Sequence, residues 1–227
     1  MKVLIIGYGS IGRRHFDIIS QFKKIKKIDL VTKQNIKNVT TFKTLNKIKC
    51  LNDYDYFIIA SETINHYEQL KYICSKVERK KILVEKPLYD KKNFNIKTCN
   101  NIYTAYNLRF HPVLQKLKKL IKNENIYYAN IICGQYLPTW RPNQNYKKSY
   151  SADINKGGGV LRDLSHELDY SNWLFGSFDS MEYISTKVSD LVISSDDIFV
   201  AIGTTKNKTI INLSIDYISK VAIRKLV

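Results

Sequence analysis

The chain holds four cysteines in 227 residues, Cys50, Cys74, Cys99 and Cys133, and none belongs to a CxxC pair. Neither a zinc site nor a disulfide framework is expected from them; buried free thiols are. No metal is predicted. No apolar run is long enough to span a bilayer, so no membrane partner is predicted either. The start, Met1-Lys2-Val3-Leu4-Ile5-Ile6-Gly7, is too short in apolar residues for a signal peptide and ends at a glycine. It reads as a buried strand of a cytoplasmic protein. A proline-rich linker, an internal repeat and a low-complexity tail are all lacking. Acidic side chains are scarce, 20 against 37 basic ones, for a net charge of +17. Such a surplus invites a nucleic-acid reading. The basic residues are 30 lysines and 7 arginines, however, scattered from Lys2 to Lys225. That distribution describes a solvated lysine-rich surface, and no nucleic-acid partner is expected. The surplus still helps to attract an anionic cofactor or substrate.

The length allows two domains, and the apolar fraction of 44% is that of an ordinary globular chain. Residues 1–108 alternate strand-like and helix-like patterns. Strands are predicted at Val3–Ile6, Ile28–Thr32, Tyr56–Ala60, Lys81–Val84 and Ile102–Tyr106. A helix with Ile11, Phe16, Ile19 and Phe22 as apolar positions follows the first strand, and His66–Val77 forms another. This alternation predicts a doubly wound parallel α/β sheet. From residue 109 to 227 the pattern changes. A helix over Val113–Ile121 precedes long alternating strands at Ile126–Tyr136, Met181–Val188, Ile198–Thr205 and Ile210–Ile218. Lys206-Asn207-Lys208 reads as a hairpin turn, and the second domain is expected to be α+β with a largely antiparallel sheet. The chain ends inside a predicted strand, Ala222–Val227, so this sheet is expected to be incomplete.

Three motifs carry chemistry. Gly7-Tyr8-Gly9-Ser10-Ile11-Gly12 is a GxGxxG run between a buried strand and a helix, the context of a dinucleotide-binding turn. The second strand ends in Val31-Thr32-Lys33-Gln34, where an acidic residue would accept from a ribose hydroxyl. A hydroxyl followed by a cation favours a 2′-phosphate, hence NADP over NAD. Glu85-Lys86-Pro87 follows a parallel strand at the edge where open α/β sheets bind ligands, and Lys86 there can polarise a substrate oxygen. Asn65-His66 lies on the same edge. The third motif is Gly157-Gly158-Gly159 followed by a helix-like stretch. Its glycines permit close approach to a ligand. Asp163 and His166, three residues apart, are expected on one helical face as an orienting carboxylate and an acid/base. Segment 106–112 brings amide, guanidinium and imidazole groups to the expected junction of the domains. His111, beside a proline, reads as structural. In 134–142, Trp140 and Arg141 could stack on a sugar and bind an anionic group.

Together these motifs resemble the Gfo/Idh/MocA family of NAD(P)-dependent oxidoreductases, which act mostly on sugars. GQYLPTWRP, YKKSYSA and GGGVLRDLSHELDYSNWLFG are also similar to a subgroup associated with surface-polysaccharide sugar biosynthesis. The resemblance implies that Lys86 is the catalytic lysine, His166 the general acid/base and Asp163 its acidic partner. It implies cofactor contacts from Gly7 to Gly12 and from Thr32, Lys33, Ser61, His66, Glu85, Lys86 and Asn107. Substrate contacts fall to Arg109, Trp140, Arg141, Asp163 and His166. Many members space the acid and the histidine four residues apart and run past about 300 residues. The implied partner is a sugar or nucleotide-sugar, with self-association through the second-domain sheet. The alternatives are a non-catalytic cofactor-binding homologue and an NAD-dependent glycosidase or epimerase of the same fold.

Overall fold

A computed structural model describes residues 1–90 and 96–227. The chain divides into two compact units, Met1–Ala105 and Tyr106–Val227. The division falls three residues before the expected one. The residues after Ala105 make their contacts in the second unit: the Tyr106 ring lies against His166, and Leu108 packs on the second unit's core.

The first unit is a six-stranded parallel sheet in the order β3-β2-β1-β4-β5-β6. Its strands are β1 (Lys2–Ile6), β2 (Lys27–Val31), β3 (Thr41–Phe42), β4 (Tyr56–Ile59), β5 (Lys81–Val84) and β6 (Asn101–Thr104). Helices α1 (Ser10–Ile19) and α2 (His66–Cys74) follow β1 and β4. Successive residues of a strand point to opposite faces. Accordingly Val3 and Ile5 pack with Phe16 and Ile19 of α1, while Leu4 and Ile6 share a core with Leu70 and Ile73 of α2. Both faces are covered, which is why the strands read as continuous apolar runs. α1 ends at Ile19, so Phe22, expected on its apolar face, lies outside the helix and is exposed. Ile11 is also exposed.

The second unit holds a five-stranded sheet in the order β11-β7-β10-β9-β8. These strands are β7 (Tyr128–Gly134), β8 (Phe178–Thr186), β9 (Ile198–Thr205), β10 (Ile210–Asp216) and β11 (Ile223–Leu226). Only β7 and β10 pair in parallel. Helices α3 (Pro112–Leu120), α4 (Leu137–Trp140), α5 (Val160–Asp163) and α6 (His166–Phe175) belong to this unit. Ile131, Leu213, Ile215 and Phe199 of one sheet face pack with Tyr170 and Leu174 of α6. Among the described residues no helix is long and apolar enough to cross a membrane, and no cluster suits a metal ion.

Candidate functional site

In the first unit the glycine turn joins β1 to α1. Gly7 has φ +96°, and a Cβ there would meet the Ala60 carbonyl oxygen at 2.5 Å. A Cβ on Gly12 would stand 2.2 Å from the Gly7 oxygen. These two glycines are required by helix-on-strand packing. Gly9 differs: a Cβ would meet nothing within 4 Å. Gly9 caps α1 without a side-chain hydrogen bond, so the first-turn N–H groups receive no side-chain acceptor. Open space in front of uncapped N–H groups fits the diphosphate of a dinucleotide. Ser10 and Ile11 are exposed in that first turn. The Tyr8 ring lies edge-on to Phe16 at 5.8 Å, and its carbonyl accepts from Gln34 Nε2 at 3.1 Å.

Beyond β2, Thr32 Oγ1 accepts from Gln34 N, and Lys33 is exposed. Arg13, one turn into α1, donates to Gln34 Oε1 at 3.1 Å, bringing a second cation to this strand end. Asp29 is buried within β2 and accepts from the Tyr54 hydroxyl at 2.7 Å, so it does not serve the strand end.

Glu85 and Lys86 follow β5. Glu85 Oε1 lies 2.6 Å from His15 Nε2, and Glu85 Oε2 accepts from the Lys86 backbone N–H. The carboxylate is thus held on both sides, and Lys86 is half-buried beside it. His15 was not read from the sequence; the signal for it is a polar residue one turn past Gly12 on the helix that opens at the glycine turn. His66 is buried, with Nδ1 3.1 Å from the Pro87 oxygen and Nε2 3.2 Å from the Ser61 oxygen. Burial lowers its pKa. A neutral imidazole has one N–H and donates to only one of these carbonyls at a time, and the two contacts place His66 between the loop after β4 and the loop after β5. Ser61 Oγ donates to Gln69 Oε1 at 2.7 Å.

In the second unit the expected single helix is two. α5 stops at Asp163, Leu164 leaves helical geometry, and α6 starts at His166. Asp163 and His166 therefore do not share a continuous helical face. Asp163 is buried, and its Oδ2 accepts from Ser151 Oγ and from the Tyr217 hydroxyl, each at 2.6 Å. Burial and the Asp163 carboxylate hold the Tyr217 pKa well above its ordinary value. His166 is half-buried at the start of α6, its ring edge-on to Tyr106 at 5.6 Å. The glycines before it serve the chain's own packing. A Cβ on Gly158 would meet the Tyr150 oxygen at 2.1 Å, and one on Gly159 the Asp196 carboxylate at 2.1 Å. Asp196 caps α5 by accepting from Leu161 N. The close approach expected of a ligand is made here by the protein.

Arg109 forms a two-pronged pair with Asp169, Nε to Oδ2 at 2.8 Å and Nη2 to Oδ1 at 2.6 Å. Its guanidinium is thereby paired with α6 while the side chain stays 43% exposed. Asn107 is exposed, and His111 caps α3, as its structural reading required. Trp140 packs on Tyr217 at 5.9 Å, and Arg141 lies over Trp140 while donating to Ser151 Oγ at 3.0 Å. Arg141, Ser151 and Asp163 form one hydrogen-bonded chain. Ser151 and Tyr217 went unread because their link to Asp163 spans 12 and 54 residues of sequence with no local pattern.

Residues 118–223 match the Gfo/Idh/MocA C-terminal domain, described as the alpha/beta domain of an oxidoreductase family. An uncharacterized oxidoreductase of Synechocystis is 30% identical over 131 residues. That match spans 54% of this chain and 35% of the relative, about a third of its length. The WlbA dehydrogenase of Bordetella pertussis, solved with NADH and UDP-GlcNAcA, superposes with TM-score 0.83 at 18% identity. The superposition covers 97% of this chain and 72% of that one. A myo-inositol dehydrogenase of Corynebacterium glutamicum gives TM-score 0.75 at 17% identity, covering 100% of this chain and 71% of that one. At such identities the likeness is one of fold. Residues 118–223 are thus similar to the C-terminal alpha/beta domain of the Gfo/Idh/MocA oxidoreductases.

Proposed function

We propose that this chain is an NAD(P)-dependent oxidoreductase of the Gfo/Idh/MocA family. It transfers hydride between a nicotinamide and a hydroxyl or carbonyl carbon of a sugar or nucleotide-sugar, in the supply of sugars for surface polysaccharides. The observation that carries the reading is the open, uncapped turn at Gly9 in a chain whose second unit matches this family's C-terminal domain. The cofactor supplies the hydride acceptor or donor. Gly7, Gly9 and Gly12 with the start of α1 hold its diphosphate. Thr32 and Lys33, with Arg13, favour a 2′-phosphate and hence NADP.

Lys86 stabilises negative charge on the reacting oxygen, and His166 takes or returns the hydroxyl proton. Glu85 sets the Lys86 backbone, and Tyr106 sets the His166 ring. Asp163, with both donors to its Oδ2 coming from its own unit, is a positioning residue that anchors the end of α5. The test is a fluorescence titration with NADH and NADPH, followed by turnover of a panel of sugars and nucleotide-sugars read by nicotinamide absorbance. Saturable cofactor binding with turnover of at least one member is expected. Binding with no turnover across the panel would favour the non-catalytic homologue, and product formation without net nicotinamide change the glycosidase or epimerase.

The outer face of the second sheet supports self-association. Ile184 pairs with Val200 on that face, and Ile202 and Ile210 extend it. All four are exposed.

A further inference from the structure

The segment 137–156 carries a guanidinium with no ion-pair partner among the described residues. Arg141 lies 4.9 Å from the centre of the Trp140 ring and 5.6 Å from that of Tyr150. Its guanidinium donates to Ser151 Oγ. Among the described residues no carboxylate stands within ion-pair distance of it, whereas Arg109 has Asp169. Aromatic faces on a guanidinium hold its plane and strip water from its faces, leaving the edge donors for recognition. Arg141 is half-buried and borders a small cleft with Leu137, Gln144, Tyr146 and Ser149. The charge around the pocket is of one sign. The segment holds Arg141, Lys147, Lys148 and Lys156 against Asp153 alone, and Asp153 is paired with Lys156 at 3.9 Å. Trp140 is engaged by Tyr217 and by Arg141, so it is a wall for the guanidinium and not a platform for a sugar ring. Through Ser151 the pocket is two hydrogen bonds from Asp163, three residues before His166.

We infer that Arg141 is the receptor for an oxyanion on the substrate. The substrate is then an acidic sugar derivative, a nucleoside-diphosphate sugar or a hexuronate, and not a neutral polyol. A planar fork of N–H donors pairs two-pronged with a carboxylate or a phosphate, which a hydroxyl cannot match. This inference rests on the oxidoreductase reading above, in which the substrate is a sugar or nucleotide-sugar.

The test is calorimetric titration of the full chain with uridine diphosphate, D-glucuronate and myo-inositol, with and without NADH. At least one of the two anions binds the wild type, and Arg141→Gln weakens it about tenfold or more. Arg141→Lys keeps the charge and the stem; it recovers part of the loss and guards against an unfolded Gln variant. An effect confined to uridine diphosphate assigns the anion to a diphosphate, and one confined to glucuronate assigns it to a carboxylate. Equal anion affinity in wild type and Arg141→Gln, no anion binding at all, or binding of myo-inositol alone overturns the inference. These titrations need no turnover, so failure of the oxidoreductase reading shows separately, as absent affinity for NADH.

Discussion

Glu167, wholly buried at the first turn of α6, accepts from Arg224 Nε of β11 at 2.7 Å, so the edge strand of the second sheet is bonded to the turn that begins with His166. Burial raises the Glu167 pKa while Arg224 opposes the rise. The neighbouring Cys133 thiol, across the ladder from Arg224, is pushed up to about 12 by burial and by Glu167. Removing Arg224 leaves a buried carboxylate uncompensated. Arg224→Met should cost about 1–3 kcal/mol, below the value for a fully enclosed pair because Arg224 is 47% exposed. The double variant Glu167→Gln/Arg224→Met should cost less than the sum of the singles in denaturant melts. The pH dependence has a definite sign. A raised carboxylate pKa contributes stability that is full below the ordinary carboxylate range and is lost as pH rises through the raised value. Melting temperatures across mildly acidic to neutral pH should fall more in the wild type than in Glu167→Gln; parallel profiles would reject the assignment.

His166→Ala and Lys86→Ala should each lower turnover by about 10²–10⁴-fold, the range of a lost acid/base or oxygen-polarising group, with cofactor affinity nearly intact. The ring contact at 5.6 Å adds a finer test. Tyr106→Phe keeps the edge-on ring and should retain most activity; Tyr106→Ala frees the imidazole and should lower kcat more than it raises KM. Near-wild-type turnover in both His166→Ala and Lys86→Ala would remove these residues from the chemistry.

The parts legible in the sequence are those set by local pattern. β5 at Lys81–Val84 and β9 at Ile198–Thr205 coincide with their expected bounds, because each is an apolar, β-branched run, β9 being closed off by Asp196-Asp197 and Lys206-Asn207. The turn at Gly7–Gly12 was legible from its GxGxxG spacing. β3, two residues long, has no period to read. The break between Asp163 and His166 has no glycine or proline to mark it, and the partners that hold the Asp163 carboxylate, Ser151 and Tyr217, lie 12 and 54 residues away. The partners of His66 and Arg109, Pro87 and Asp169, were illegible in the same way, because they lie 21 and 60 residues away.

Cofactor preference turns on the end of β2. Lys33 is exposed, Arg13 is held nearby through Gln34, and the acidic residue of β2, Asp29, is buried with Tyr54. Lys33→Glu places a carboxylate where a 2′-phosphate would lie and where a ribose hydroxyl could donate. Its effect should be to raise the dissociation constant for NADPH about tenfold relative to that for NADH, as expected when one favourable charge contact becomes a repulsive one. An unchanged ratio in fluorescence titrations would take Lys33 out of the cofactor site.

The outer face of the second sheet offers the last test. Ile184 and Ile202 are 66% and 57% exposed, Val200 and Ile210 less so, and the strand register places all four on one face. Contiguous apolar side chains on an uncovered sheet mark a contact surface. Ile202 pairs across the ladder with Asn212 and Glu182, so a charge at this position adds to one already at the sheet edge. A second copy apposed on this face would have to bury that charge unpaired. Ile202→Glu should therefore shift the sedimentation profile toward monomer by at least tenfold in dissociation constant, with a melting temperature lowered only modestly at low protein concentration by the facing Glu182. A wild-type chain that sediments as a monomer at every concentration would reject the surface as a self-contact.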